Sequence, residues 1–116
     1  VIDTAKMSKA DELFSKMIDL AIERPEMVPE KVLFITGDME SISKILSPAR
    51  MKLMAVISRK KPKNIGELAE EVGRPLQSVS RDLAVLRGWG FIEFVRSGRE
   101  KTVRLEKDMI MIPLTS

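Results

Sequence analysis

The side chains with the most chemistry to offer lie close together in the second half of the chain. Gln77, Ser78, Ser80 and Arg81 crowd into one short stretch. A Gln amide matches the paired donor and acceptor on the edge of adenine. An Arg fork matches the two acceptors of guanine, and a Ser hydroxyl bonds bases or phosphates. Arg96, Arg99 and Lys101 surround a Ser97-Gly98-Arg99-Glu100 turn, with Arg104 further along. Arg74 stands just ahead of the Gln/Ser/Arg stretch, and Lys61 and Lys63 lie in an earlier turn. Cations so distributed suit phosphate oxygens, which position a protein on a duplex while base contacts specify sequence. The chemistry on offer is recognition of double-stranded DNA.

The remaining inventory points away from catalysis. The chain has no Cys and no His. Disulfides, thiolate metal sites and cysteine nucleophiles are therefore excluded, and no imidazole titrates near neutral pH. Carboxylates and lysines remain, and a Mg²⁺ site needs only oxygen ligands. Yet the adjacent pair Glu70 and Glu71 diverges by about 100° on a helix and cannot frame a substrate together. The expectation is a non-enzyme with no cofactor and no metal. Trp89 is expected to pack beneath the hairpin, and the eight Met residues read as core filling.

For the candidate residues to act together, the elements around them must bring them to one side of a small domain. Residues 75–87 carry Leu76, Val79, Leu83 and Leu86 at the spacing of one helical face. Gln77, Ser78 and Arg81 then point the opposite way, with Ala84 beside them offering little bulk. Val85 also falls near that outer side, and Asp82 is directed aside, toward neighbouring backbone or an Arg. Ser47-Pro48 starts a helix over 48–59 through a capping hydroxyl and Pro at the first position, with Leu53, Met54 and Ile57 inward. Asn64 caps a helix over 65–72 that buries Ile65, Leu68, Ala69 and Val72, and Gly73 ends it. Residues 91–96 and 101–106 read as two strands of a hairpin. Upstream, Ser8 and Asp11 approximate a capping box for a helix over 8–24. Its apolar face holds Leu13, Phe14, Met17, Ile18, Ala21 and Ile22. Residues 31–36 form a strand, 38–46 a short helix using Met39, Ile42, Ile45 and Leu46, and 109–112 a last strand suited to pairing with 31–36.

Bulk properties fit this organisation. With 116 residues, 44% apolar and 32% charged, the chain is long enough for one compact domain. No apolar run approaches the roughly 18 residues of a membrane span, and Val1-Ile2-Asp3-Thr4 lacks a signal-peptide pattern. A cytoplasmic protein with no membrane partner is expected. Residues 1–46 hold 6 Lys/Arg against 9 Asp/Glu, whereas residues 47–116 hold 14 against 8. The basic part is suited to a polyanion, the acidic part to another task.

Three helices followed by a hairpin is the element order of a winged helix-turn-helix. The segments Leu46-Ser-Pro-Ala-Arg-Met-Lys-Leu-Met54, Ile65-Gly-Glu-Leu-Ala69, Val72-Gly-Arg74, Val79-Ser-Arg-Asp-Leu83 and Leu86-Arg-Gly-Trp-Gly-Phe-Ile92 resemble the MarR/ArsR-like winged-helix regulators. The resemblance is greatest to a small prokaryotic, mainly archaeal, group of predicted DNA-binding transcriptional regulators, and it spans residues 31–114. It implies DNA binding by the 75–87 helix and the 91–106 wing. Without Cys or His, the metal switch of ArsR-type sensors cannot be built here. The expected architecture is α+β, mainly α: a winged helix-turn-helix over 47–116, with 1–46 as an N-terminal packing or dimerisation extension and short flanking strands. The expected role is a sequence-specific transcriptional regulator acting as a homodimer. Its contacts would be Arg74, Gln77, Ser78, Ser80, Arg81, Arg96, Arg99 and Lys101. The alternative is a winged helix turned to protein contact, as an antitoxin or an assembly subunit.

Overall fold

The computed structural model describes residues 9–29 and 31–114. In chain order it contains α1 (Lys9–Glu23), a 3₁₀ turn (Pro25–Met27), β1 (Val32–Phe34), α2 (Met39–Ile45) and α3 (Pro48–Lys60). Then come α4 (Ile65–Val72), α5 (Leu76–Gly88), β2 (Ile92–Ser97), β3 (Glu100–Leu105) and β4 (Met109–Met111). This is a mainly helical α+β chain with the winged helix-turn-helix order. Two compact units result: Asp38–Lys107, and the described residues up to Gly37 together with those from Asp108 onward.

The Asp38–Lys107 unit is laid out by its helix boundaries. Asp38 caps α2 by accepting from Ser41 N at 2.8 Å. Ser47 caps α3, which has Pro48 in its first turn, and Asn64 caps α4 by accepting from Glu67 N at 2.8 Å. Each such cap satisfies a backbone N–H that the helix cannot. Gly73 ends α4 in the left-handed region, φ +66°, and two backbone bonds close the turn: Gly73 N to Glu70 O and Arg74 N to Ala69 O, both 3.1 Å. This Schellman geometry leads the chain directly into Pro75 and α5, the short Gly-containing connection that a helix-turn-helix needs. Leu53, Leu68, Val79, Leu83, Leu86, Phe91 and Ile92 are almost wholly buried and fuse the three helices with the base of the hairpin.

β2 and β3 pair antiparallel from Ile92↔Leu105 to Ser97↔Glu100. Only Gly98-Arg99 lies between them, with φ +63° at Gly98 and no positive φ at Arg99, which is a type II′ turn. Thr102 Oγ1 donates to Pro62 O at 2.6 Å and Asn64 Nδ2 to Glu100 at 3.2 Å, tying β3 to the turn between α3 and α4.

In the other unit, β1 and β4 pair in parallel, Val32↔Met109 through Phe34↔Met111. The expected pairing of these segments forms, over fewer residues than 31–36 and 109–112. Phe14 of α1 packs on Phe34, with ring centroids 5.1 Å apart. The Ser8 half of the expected capping box lies outside the described residues. Among the described residues no helix is long and apolar enough to cross a membrane.

Several core assignments need correction, among them the methionines read as core filling: Met27, Met39, Met51 and Met109 are exposed, and of the described methionines only Met54 is buried. Leu76 is 52% exposed, because the apolar stripe of α5 runs one turn past what covers it, and burial begins at Val79. Trp89 is 51% exposed: it stands at the end of α5, and Gly90 at φ +81° turns the chain away. Phe91, whose N–H donates to Leu86 O, takes the buried place instead. On α2, Ile42 is buried and Met39 is exposed, since so short a helix covers little more than one inward residue.

Candidate nucleic-acid interface

The outer side of α5 is open. Gln77, Ser80, Arg81 and Ala84 are exposed, whereas Val79, Leu83 and Leu86 face the core. At 100° per residue the four exposed positions fall within one quadrant or so of the helix, and Val85 at its margin is half-buried. Arg81 has no carboxylate partner among the described residues. Its fork is available to an incoming ligand.

The hairpin presents its cations at the tip. Arg96, Arg99 and Lys101 are all exposed. Register places Arg96 directly across from Lys101, an arrangement of like charges that destabilises a strand pair unless something negative lies nearby. Lys101 Nζ is 4.3 Å from the centre of the Phe94 ring, and the Arg87 guanidinium is 5.5 Å from the same ring. Phe94 thus seats two cations by their attraction to its π face. Arg87 also pairs with Glu93 at 3.1 Å, linking the last turn of α5 to the first residues of β2. Arg104 is paired with Glu106 at 2.8 Å, and that bond and charge raise its pKa.

Position in the sequence places Arg74 and Ser78 with these contacts, but the structure gives both of them intramolecular partners. Arg74 Nη2 donates to Ser78 Oγ at 2.6 Å and to Asp82 at 2.7 Å. Asp82 also accepts from Arg50 Nε at 3.0 Å. Burial pushes the Asp82 carboxyl upward, but hydrogen bonds and charge from Arg74 and Arg50 outweigh it and hold the pKa below the ordinary value. The expected Asp82–Arg contact is therefore present twice over. Arg50 and Phe94 are the participants that reading by position missed. Arg50 carries no local signal, because its partner is 32 residues away. Phe94 could have been found from strand alternation beside a basic turn. Among the described residues no three carboxylates gather as metal ligands would.

The HVO_A0114 family model matches residues 45–112, more than half of the chain and all of the three-helix and hairpin region just described. The chain belongs to the HVO_A0114 family. No curated protein matches this HVO_A0114 member. Among solved structures, it is similar to Rv0081 of Mycobacterium tuberculosis at 26% identity and a TM-score of 0.51, over 58% of this chain and 68% of that one. A Mycobacterium bovis fragment described as a possible transcriptional regulatory protein is similar at 20% identity and a TM-score of 0.50, over 60% and 74% of the two chains. The homodimeric winged helix-turn-helix DNA-binding domain Mb0332 from M. bovis, a possible ArsR-family transcriptional regulator, matches over 90% and 78% at 15% identity and a TM-score of 0.52. At 15% identity the likeness to Mb0332 establishes the winged helix-turn-helix fold of the family member.

Proposed function

We propose that this chain is a transcriptional regulator that reads double-stranded DNA with α5 in the major groove and grips the adjoining backbone or minor groove with the β2–β3 wing. The observation that carries the reading is the uncovered Gln77/Ser80/Arg81/Ala84 face on α5. Gln77 and Arg81 supply bidentate base contacts, and Ser80 bonds a base or a phosphate. Arg96, Arg99 and Lys101 take phosphates, which relieves the repulsion of the facing Arg96 and Lys101. The description of Mb0332 as a DNA-binding domain supports the same reading. So does its description as a homodimer: Phe14, Ile18 and Ile22 on α1 are exposed here, and residues 1–46 contribute to pairing of two copies. Two copies would read half-sites about 34 Å apart.

Selection of genomic DNA fragments by the full chain at moderate salt, followed by sequencing, tests the proposal. A shared motif whose affinity falls steeply with salt is the expected result. Flat enrichment, weak duplex binding at physiological salt and co-purification with a protein partner would instead support the reading as a protein-interaction module.

A further inference from the structure

Asp82 sits on α5 between the open face and the core, and both of its oxygens are engaged. Oδ1 accepts from Arg50 Nε at 3.0 Å and Oδ2 from Arg74 Nη2 at 2.7 Å. Arg50 Nη1 also donates to Lys44 O at 2.7 Å and Ile45 O at 3.2 Å. These carbonyls belong to the last turn of α2, where a helix leaves its acceptors unsatisfied. One carboxylate thereby joins the end of α2, the first turn of α3, the turn before α5 and α5 itself.

Arg74 is held tightly in this arrangement. Its Nη2 bonds both Asp82 and Ser78, the latter at 2.6 Å, and its side chain is 26% exposed. Its Nη1 is buried, with no acceptor among the described residues. A phosphate ligand turns its N–H groups outward. Arg74 turns them in.

We propose that Arg74 is a positioning residue of α5 and not a phosphate ligand: Asp82 and Ser78 fix its guanidinium, and the bracket that Arg50 completes sets how α5 presents Gln77, Ser80 and Arg81. The proposal rests on the DNA-binding reading above, but one arm of its test needs no DNA. In the free protein, hydrogen exchange is followed for wild type, Asp82→Asn and Arg74→Lys. Amides of Val79 to Leu83 are expected to exchange about tenfold faster in both variants, with α4 amides little changed, as for a local opening. An even acceleration across α3, α4 and α5 would reduce the bracket to general stabilisation and overturn the proposal.

The second arm measures anisotropy of a labelled, genome-selected duplex and a scrambled duplex over a salt series. Lys serves as a point charge for phosphate but cannot reproduce the Arg fork. Arg74→Lys is therefore expected to lose most of the preference for the selected duplex while keeping the wild-type salt slope. If Arg74→Lys binds like wild type and Arg74→Gln lowers the slope by about 0.9, Arg74 is a phosphate ligand and the proposal fails. If wild type binds no duplex, the DNA-binding reading fails, and the exchange arm alone decides whether Arg74 positions α5.

Discussion

Arg81 and Arg99 are both exposed arginines, yet the proposed interface assigns them different work. Arg81→Ala should relax preference at one base pair and reduce discrimination there by about 1–3 kcal/mol. Competition binding against a library of single-base operator variants measures this. Arg99→Ala should weaken every sequence alike and lower the salt slope by about 0.9, read from the affinity over a KCl series. Asp82 supplies a test of stability. Its folded pKa lies below the model-peptide value of 3.8, so its stabilisation is complete above that value. It fades as the pH falls through the lower folded pKa. Denaturant unfolding from pH 6 to pH 2 should show a steeper acid loss in wild type than in Asp82→Asn. Equal slopes would remove the bracket from the acid response. The outward position of Gln77 and Arg81 was readable from helical period alone, whereas the pairing of Asp82 with Arg50 was not, because no periodicity spans the intervening turns.

At the level of elements, local chemistry set the boundaries and long-range packing set what each element covers. Asn64→Ala removes the acceptor for Glu67 N and should cost about 1 kcal/mol, seen as a lower urea midpoint at unchanged slope. Gly98→Ala should cost about 1–3 kcal/mol. A Cβ at Gly98 would meet nothing within 4 Å, so the loss comes from backbone strain at φ +63°. Caps at Asp38, Ser47 and Asn64 and the stop at Gly73 are short-range signals, and the helix ends fell within a residue or so of expectation. The fates of Leu76 and Trp89 were illegible for the opposite reason. A helical stripe says which side is apolar but not how far along the helix a covering surface extends, and only Phe91 could both follow the Gly90 reversal and enter the core.

For the molecule as a whole, charge is divided between the compact units. Residues 38–107 hold 15 Lys/Arg against 9 Asp/Glu, and the rest of the chain holds 5 against 8. That asymmetry favours the basic unit as the one that approaches a polyanion. The exposed Phe14, Ile18 and Ile22 of α1 give the dimer proposal its handle. Light scattering should report twice the chain mass for wild type at micromolar concentration, and Ile18→Asp should shift it toward one. A monomeric wild type would remove the paired half-site geometry while leaving the single-copy interface intact.

The amino-acid sequence by itself determined the order of helices and hairpin, their caps, and the polar side of the 75–87 segment, because each depends on neighbours within a turn or two. Tertiary structure decided the parallel register of β1 with β4, the pairing of Asp82 with Arg50 and the identity of the aromatic under the wing. These depend on which distant surfaces meet, and free energies of contact between segments tens of residues apart leave no periodic trace along the chain.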